Sequence, residues 1–264
     1  MRFSLTLALP LVVSGAFVPF VEPADHSHSF VQSGVAPRGR NVTINGVLTY
    51  VTLPKNKKFD KSKAVVFLTD VFGLPSIDNP LLADKFADAG FATFVPDYLN
   101  GDALPQGGNS TAWRANHTEA HTTPPLLAVI SALKKKGFKK IAATGYCFGG
   151  LYVTRLVQNN TIAVGSMAHP SALSVPNDFV LAKDQSDVPV HINNAERDTG
   201  FTVALAGVTD GVMGDGQYEP GYLRTQFDAV AHGFAVRADP ANPVAVAAKQ
   251  GAFDETIKFF KEHL

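Results

Sequence analysis

KIAATGYCFGG, residues 140–150, runs from a short apolar strand through a tight turn into a helix, and the fold hangs on how that turn is read. Gly145 stands two places before Cys147 and Gly149 two places after it. A sharp strand-to-helix turn needs small residues at those places, because a side chain at either would meet backbone. The turn also aims backbone N–H groups and the positive end of a helix at the residue between them, which favours a thiolate and any oxyanion formed beside it. Phe148 carries the first such N–H. The stretch therefore reads as a nucleophile elbow with cysteine at its apex. The competing reading is a glycine-rich turn, as nucleotide-binding folds also use, that merely contains a cysteine.

On both sides of this turn the chain alternates strands with helices. Residues 41–44 and 47–53 are β-type runs joined by Asn45-Gly46, a dipeptide that favours a type I′ hairpin. Strands are expected at 64–68 and 92–95, with a helix at 77–89 closed by Gly90. A polar, glycine-rich loop covers 100–116, and a helix from about 125 to 136 ends at Gly137. Beyond the elbow come a helix at 149–159, strands at 162–167, 189–193 and 223–227, and a terminal helix at 244–262. Such alternation implies an α/β fold whose mainly parallel sheet has helices on both faces, with the hairpin as an antiparallel edge. No repeat and no linker marks a second domain.

A nucleophile needs a base, and the base needs a group to orient it. Asp198 follows the strand at 189–193, and His232, in Ala231-His232-Gly233-Phe234, follows the strand at 223–227. Nucleophile, acid, histidine is the chain order of the α/β-hydrolase fold, and loops after parallel strands open on one edge of the sheet. Glu196, Asp187 and Asp210 compete as the acid, and His169, His191, His117 and His121 as the base. Cys147 is the sole cysteine, so an intramolecular disulfide is excluded; a buried apolar role, an intermolecular link and a nucleophile are its three readings.

These residues resemble the dienelactone hydrolases, over about residue 37 to the C-terminus. The matching pieces are Gly145-Tyr-Cys-Phe-Gly-Gly150, Asp70-Val-Phe-Gly73, Pro96-Asp97, Ala195-Glu-Arg-Asp198 and His232-Gly-Phe234. The resemblance implies a hydrolase of lactones or activated esters, with Cys147 as nucleophile, His232 as base and Asp198 orienting it. It also implies Asp70 as an acid controlling the nucleophile, where the family usually has Glu, and Val71 N–H as second oxyanion donor beside Phe148. Family substrates carry a carboxylate held by arginines, for which Arg237, one place off the family position, and Arg114 are the candidates. A general esterase or thioesterase, and a non-catalytic scaffold, are the alternatives.

Of the 264 residues 45% are hydrophobic and 17% charged, enough for a core and against disorder. The 23 Lys and Arg balance 23 Asp and Glu, leaving no surplus to grip nucleic acid. Residues 1–16 read as a signal peptide: Arg2, an apolar run too short to span a bilayer, then Ser14-Gly15-Ala16, with cleavage there or further on, near Ala24. An irregular lead, 17–38, and one hydrolase domain, 39–264, of ordinary single-domain size would follow. Export without an anchor agrees with four glycosylation sequons, at Asn41, Asn109, Asn116 and Asn159. Asp25-His26-Ser27-His28 lacks further ligands at zinc-site spacing, and the chemistry requires no cofactor, so neither metal nor cofactor is expected. A small lactone or ester is the expected partner; the sequence leaves the oligomeric state open.

Overall fold

A computed structural model describes residues 35–55 and 59–264; the expected signal peptide, most of the irregular lead and the Asp25–His28 segment lie outside the described residues. One mixed sheet of eight strands has the order β1-β2-β4-β3-β5-β6-β7-β8. The strands are β1 (Arg40–Ile44), β2 (Val47–Thr52), β3 (Lys63–Leu68), β4 (Ala92–Pro96), β5 (Lys140–Tyr146), β6 (Val164–Ala168), β7 (Val190–Arg197) and β8 (Tyr222–Ala231). The helices are α1 (Asp78–Asp88), α2 (Ser110–Asn116), α3 (Glu119–Lys135), α4 (Phe148–Gln158), α5 (Asn177–Gln185), α6 (Val203–Met213) and α7 (Pro243–His263). β1, β2 and β4 pair antiparallel and every other pairing is parallel, so the hairpin forms the antiparallel edge. At its tip Asn45 and Gly46 both take positive φ, 48° and 84°, as a type I′ turn demands.

β3 shows why the sheet is covered twice. Ala64, Val66 and Leu68 enter one core and Val65 and Phe67 the other, because successive side chains of a strand point to opposite faces. The first core is closed by residues of α2 to α6, among them Trp113, Leu126, Tyr152, Phe179 and Met213. The second is closed by α1 and α7 through Leu82, Phe86, Ile257 and Phe260.

Several stretches depart from the expectation. The loop at 100–116 ends in α2, because Asn109 caps it: Thr111 and Ala112 N–H donate to its side-chain oxygen at 3.0 and 3.1 Å. Helix α3 starts at Glu119 rather than near 125 and contains Pro124 and Pro125. Pro125 has no N–H for the carbonyl of His121; the Asn100 side-chain amide donates to that oxygen instead, at 3.1 Å. Helices α5 and α6 carry weak periodicity and were not anticipated. Strands β7 and β8 also run four residues longer than the apolar pattern alone defines, to Arg197 and Ala231, so that Asp198 and His232 sit directly at strand ends.

Candidate active site

The turn after β5 is built from close approaches. A Cβ at Gly145 would lie 2.4 Å from the carbonyl oxygen of Gly149, and one at Gly149 would lie 2.4 Å from that of Leu68 on β3. Cys147 between them has φ 54° and ψ −115°, a conformation that non-glycine residues hold only when their surroundings enforce it. Those surroundings are explicit. Cys147 N–H donates to Ala168 at 3.2 Å, while Gly150 and Ser171 N–H both donate to the Cys147 carbonyl at 3.0 Å. The thiol is 8% exposed at the start of α4.

His232 stands after β8 and faces this thiol. Its Nδ1 lies 2.9 and 3.0 Å from the two carboxylate oxygens of Asp198, which fixes Nδ1 as the donor and leaves the other nitrogen for Cys147. Asp198 is itself fixed, with Gly200 and Phe201 N–H donating to Oδ1 at 2.7 and 3.2 Å. Its side chain is fully buried and that of His232 is 29% exposed.

Burial alone would raise the Cys147 thiol, but the bond to His232 and its charge, then Ser171 and the Phe148 N–H, bring it below the ordinary thiol value. Burial would lower His232, yet its bonds to Asp198 and Cys147 raise it to about 10. Burial likewise opposes ionisation of Asp198, and the His232 bond outweighs it and lowers the carboxyl. The three shifts share one cause, a proton resident on the imidazole between two anions.

The rivals lie elsewhere. Glu196 accepts from Ala229 N–H at 2.7 Å, Asp210 pairs with Arg224, and Asp187 is exposed. His191 is buried in β7 between Ser166 and Thr225. His117 stacks on Trp113 with ring centres 3.7 Å apart, and His121 packs edge-on against His117. His169 reaches the site, but as a wall: it is wholly buried, its ring centre is 4.9 Å from that of His232, and burial lowers it to about 3, so it is neutral.

Asp70, expected to control the nucleophile, is held by three partners. Phe72 N–H and the Asn79 amide donate to its Oδ1 at 3.1 Å each, and its Oδ2 forms an ion pair with Arg237. The guanidinium of Arg237 also lies 4.7 Å over the ring of Phe72. Arg237, expected to be a substrate arginine, is thus turned onto Asp70 rather than left free. Arg114, at the end of α2, is exposed, has no ion-pair partner among the described residues and lines a cavity of about 340 Å³ with Arg155, Phe148, Leu151 and Tyr152. Val71 N–H, at the β3 end, has no protein acceptor among the described residues, and its carbonyl accepts from Leu104 at 2.8 Å. Trp113 holds Phe148 edge-on, with ring centres 5.1 Å apart.

Sequence reasoning missed Ser171, whose hydroxyl lies 3.6 Å from Cys147 Sγ, and Asn79, which holds Asp70. A survey of polar residues just beyond each parallel strand would have found Ser171 three places after β6. Asn79 gives no such signal, because it lies on α1 and points back. All four sequon asparagines are exposed, with Asn109 and Asn116 bracketing α2 rather than lying in a loop. Among the described residues no cluster of three or more His, Cys, Asp or Glu is set to hold a metal, and no helix is long and apolar enough to cross a membrane.

The model of the dienelactone hydrolase family matches residues 47–264. Hydrolase pyvD of Aspergillus violaceofuscus is 28% identical over 232 residues, covering 86% of this chain and 91% of that protein. A carboxymethylenebutenolidase homolog of Mus musculus is 27% identical over 187 residues, 67% of this chain and 70% of that protein. Among solved structures, a dienelactone hydrolase-like promiscuous phosphotriesterase from metagenomic libraries superposes with a TM-score of 0.66 at 18% identity, covering 86% of this chain and 97% of its own.

Proposed function

The chain belongs to the dienelactone hydrolase family and is an ester or lactone hydrolase acting on a small molecule, and from that premise we propose that it works through Cys147, His232 and Asp198 by way of a thioester acyl-enzyme. The observation that carries this reading is His232 held by Asp198 at 2.9 Å while its charge lowers the Cys147 thiol below the ordinary value.

The thiolate attacks the carbonyl carbon, and the electron pair moved onto oxygen is met by Phe148 and Val71 N–H. Collapse breaks the C–O bond, and the imidazolium of His232 gives its proton to the departing oxygen. Water then attacks the thioester, delivering a proton to His232, and the thiolate departs. From a lactone the freed oxygen stays tethered to the acyl group, where it assists the second step. A simple alkyl ester has no such help.

Two features bear on substrate choice. Arg114 is an available cation at the cavity beside Phe148, which favours a carboxylate-bearing lactone. Arg237 is committed to Asp70, which favours an uncharged ester. We further propose export, with glycans on exposed Asn41, Asn109, Asn116 and Asn159, on the strength of the N-terminal sequence and the sequons. The test is turnover of a carboxylate-bearing enol-lactone and of a p-nitrophenyl ester by wild type and Cys147→Ala. Loss of both activities in a folded variant is expected. Persistence of either in Cys147→Ala overturns the cysteine mechanism, and preference for the ester makes the protein a general esterase.

A further inference from the structure

The geometry points to Ser171 as a hydrogen-bond donor to the Cys147 sulfur that steadies the thiolate before attack and again as it leaves the thioester. This rests on the cysteine mechanism and adds a residue to it. Ser171 Oγ lies 3.6 Å from Sγ, an ordinary length for a bond to sulfur, and its own N–H holds the Cys147 carbonyl at 3.0 Å, so one residue grips the nucleophile from both its backbone and its side chain.

The segment carrying Ser171 is over-determined. His169 and Ala172 take φ 38° and 62°, left-handed values costly for residues with a Cβ, and Pro170 is locked between them. His169 N–H donates to Asn193 at 2.8 Å. A Cβ on Gly150 would come within 2.7 Å of Pro170 Cβ, so glycine there lets Pro170 pack onto the start of α4. Gly200 packs on the other side, where a Cβ would make ordinary contact 3.4 Å from Asp198 Oδ1 and 3.9 Å from both His232 Nδ1 and Ser171 Cβ. Such strain persists where surrounding structure enforces it, and here it places a hydroxyl on a reacting atom.

The proton stays on Ser171 throughout. In deacylation water adds to the thioester and its proton goes to His232; the C–S bond then breaks with its electron pair moving to sulfur, and the hydroxyl donates to the sulfur as charge builds there. A hydroxyl that rotates about one bond follows this change without moving the backbone. The other titratable and charged groups around the thiol are His232 with Asp198 behind it, Tyr98, neutral His169, and the Asp70–Arg237 pair at the β3 end.

Cys147 is the sole cysteine, so alkylation by iodoacetamide as a function of pH reads this thiol alone. In Ser171→Ala the alkylation midpoint is expected to rise by about one pH unit, a tenfold loss of thiolate at low pH, with Ser171→Thr restoring it. With a p-nitrophenyl ester, Ser171→Ala should also slow steady-state turnover about tenfold while keeping the burst, because deacylation suffers more than attack. An unchanged alkylation midpoint and burst-to-turnover ratio in Ser171→Ala, or failure of Ser171→Thr to restore either, overturns the proposal. Failure of the cysteine mechanism itself reads differently, as turnover surviving in Cys147→Ala, and alkylation still reports the Ser171 bond.

Discussion

Two carboxylates are buried at the same edge of the sheet, and they are held in nearly the same way for opposite ends. Asp198 after β7 accepts from Gly200 and Phe201 N–H, and Asp70 after β3 accepts from Phe72 N–H and the Asn79 amide; both side chains are fully buried. The difference lies in the cation. Asp198 faces an imidazole, whose charge depends on a proton it can give up, while Asp70 faces a guanidinium, which keeps its charge. In the proposed mechanism the first arrangement moves a proton; the second joins two loops, after β3 and after β8.

Asp198→Asn is expected to have the largest effect. Neutralising this carboxylate removes the group that fixes the donor nitrogen of His232 and stabilises its charged form, so turnover should fall about 10³–10⁴-fold with the fold retained. Circular dichroism and kcat on a p-nitrophenyl ester check both halves. A loss under tenfold would show that another group orients His232 and would reduce Asp198 to a structural acid.

This pair is also where the sequence was most legible. Elbow spacing, strand ends and chain order sufficed to nominate Cys147, Asp198 and His232, because each is placed by backbone topology that leaves a local signature. Asp70 and Arg237 were legible only as isolated residues: the ion pair joins positions far apart through side chains, and no spacing rule encodes it. The helices α5 and α6 were missed for the opposite reason. Their residues are local, but α6 carries Gly207 and Gly211, and both helices leave large apolar side chains such as Leu181 and Val208 exposed, which blurs the helical period. Helix α3 was shortened by its prolines, a local rule overridden by the Asn100 side chain.

Asp70→Asn should act on stability instead. It leaves the Arg237 guanidinium without its counter-charge; since that side chain is 30% exposed, the loss should be about 2–3 kcal/mol, below the roughly 3–5 of a wholly buried pair. Urea unfolding measures it, and pairing Asp70→Asn with Arg237→Gln should recover part of the loss, because the two changes share one interaction. Turnover should change less than tenfold. A shift of the Cys147 alkylation profile in Asp70→Asn would instead return to Asp70 the role in nucleophile control that the family resemblance assigns it.

The smallest effect separates the two pairs by pH alone. His232 is raised from its ordinary 6.5 to about 10, so its contribution to stability is fully present below pH 6.5 and is lost as pH rises through about 10. Asp198 is lowered, so its own contribution is present above its ordinary 3.8 and fades only as pH falls further. The difference in Tm between wild type and Asp198→Asn should therefore be widest near pH 5–6, at about 2–6 °C for a chain of this size, and close toward pH 10.5. Burial lowers Arg237 from its ordinary value, but a guanidinium facing a carboxylate keeps its charge through this range, so the corresponding difference for Asp70→Asn should stay flat. Two flat profiles would mean that Asp198 does not hold the proton on His232, and two sloping ones that Arg237 is not the partner that keeps Asp70 charged.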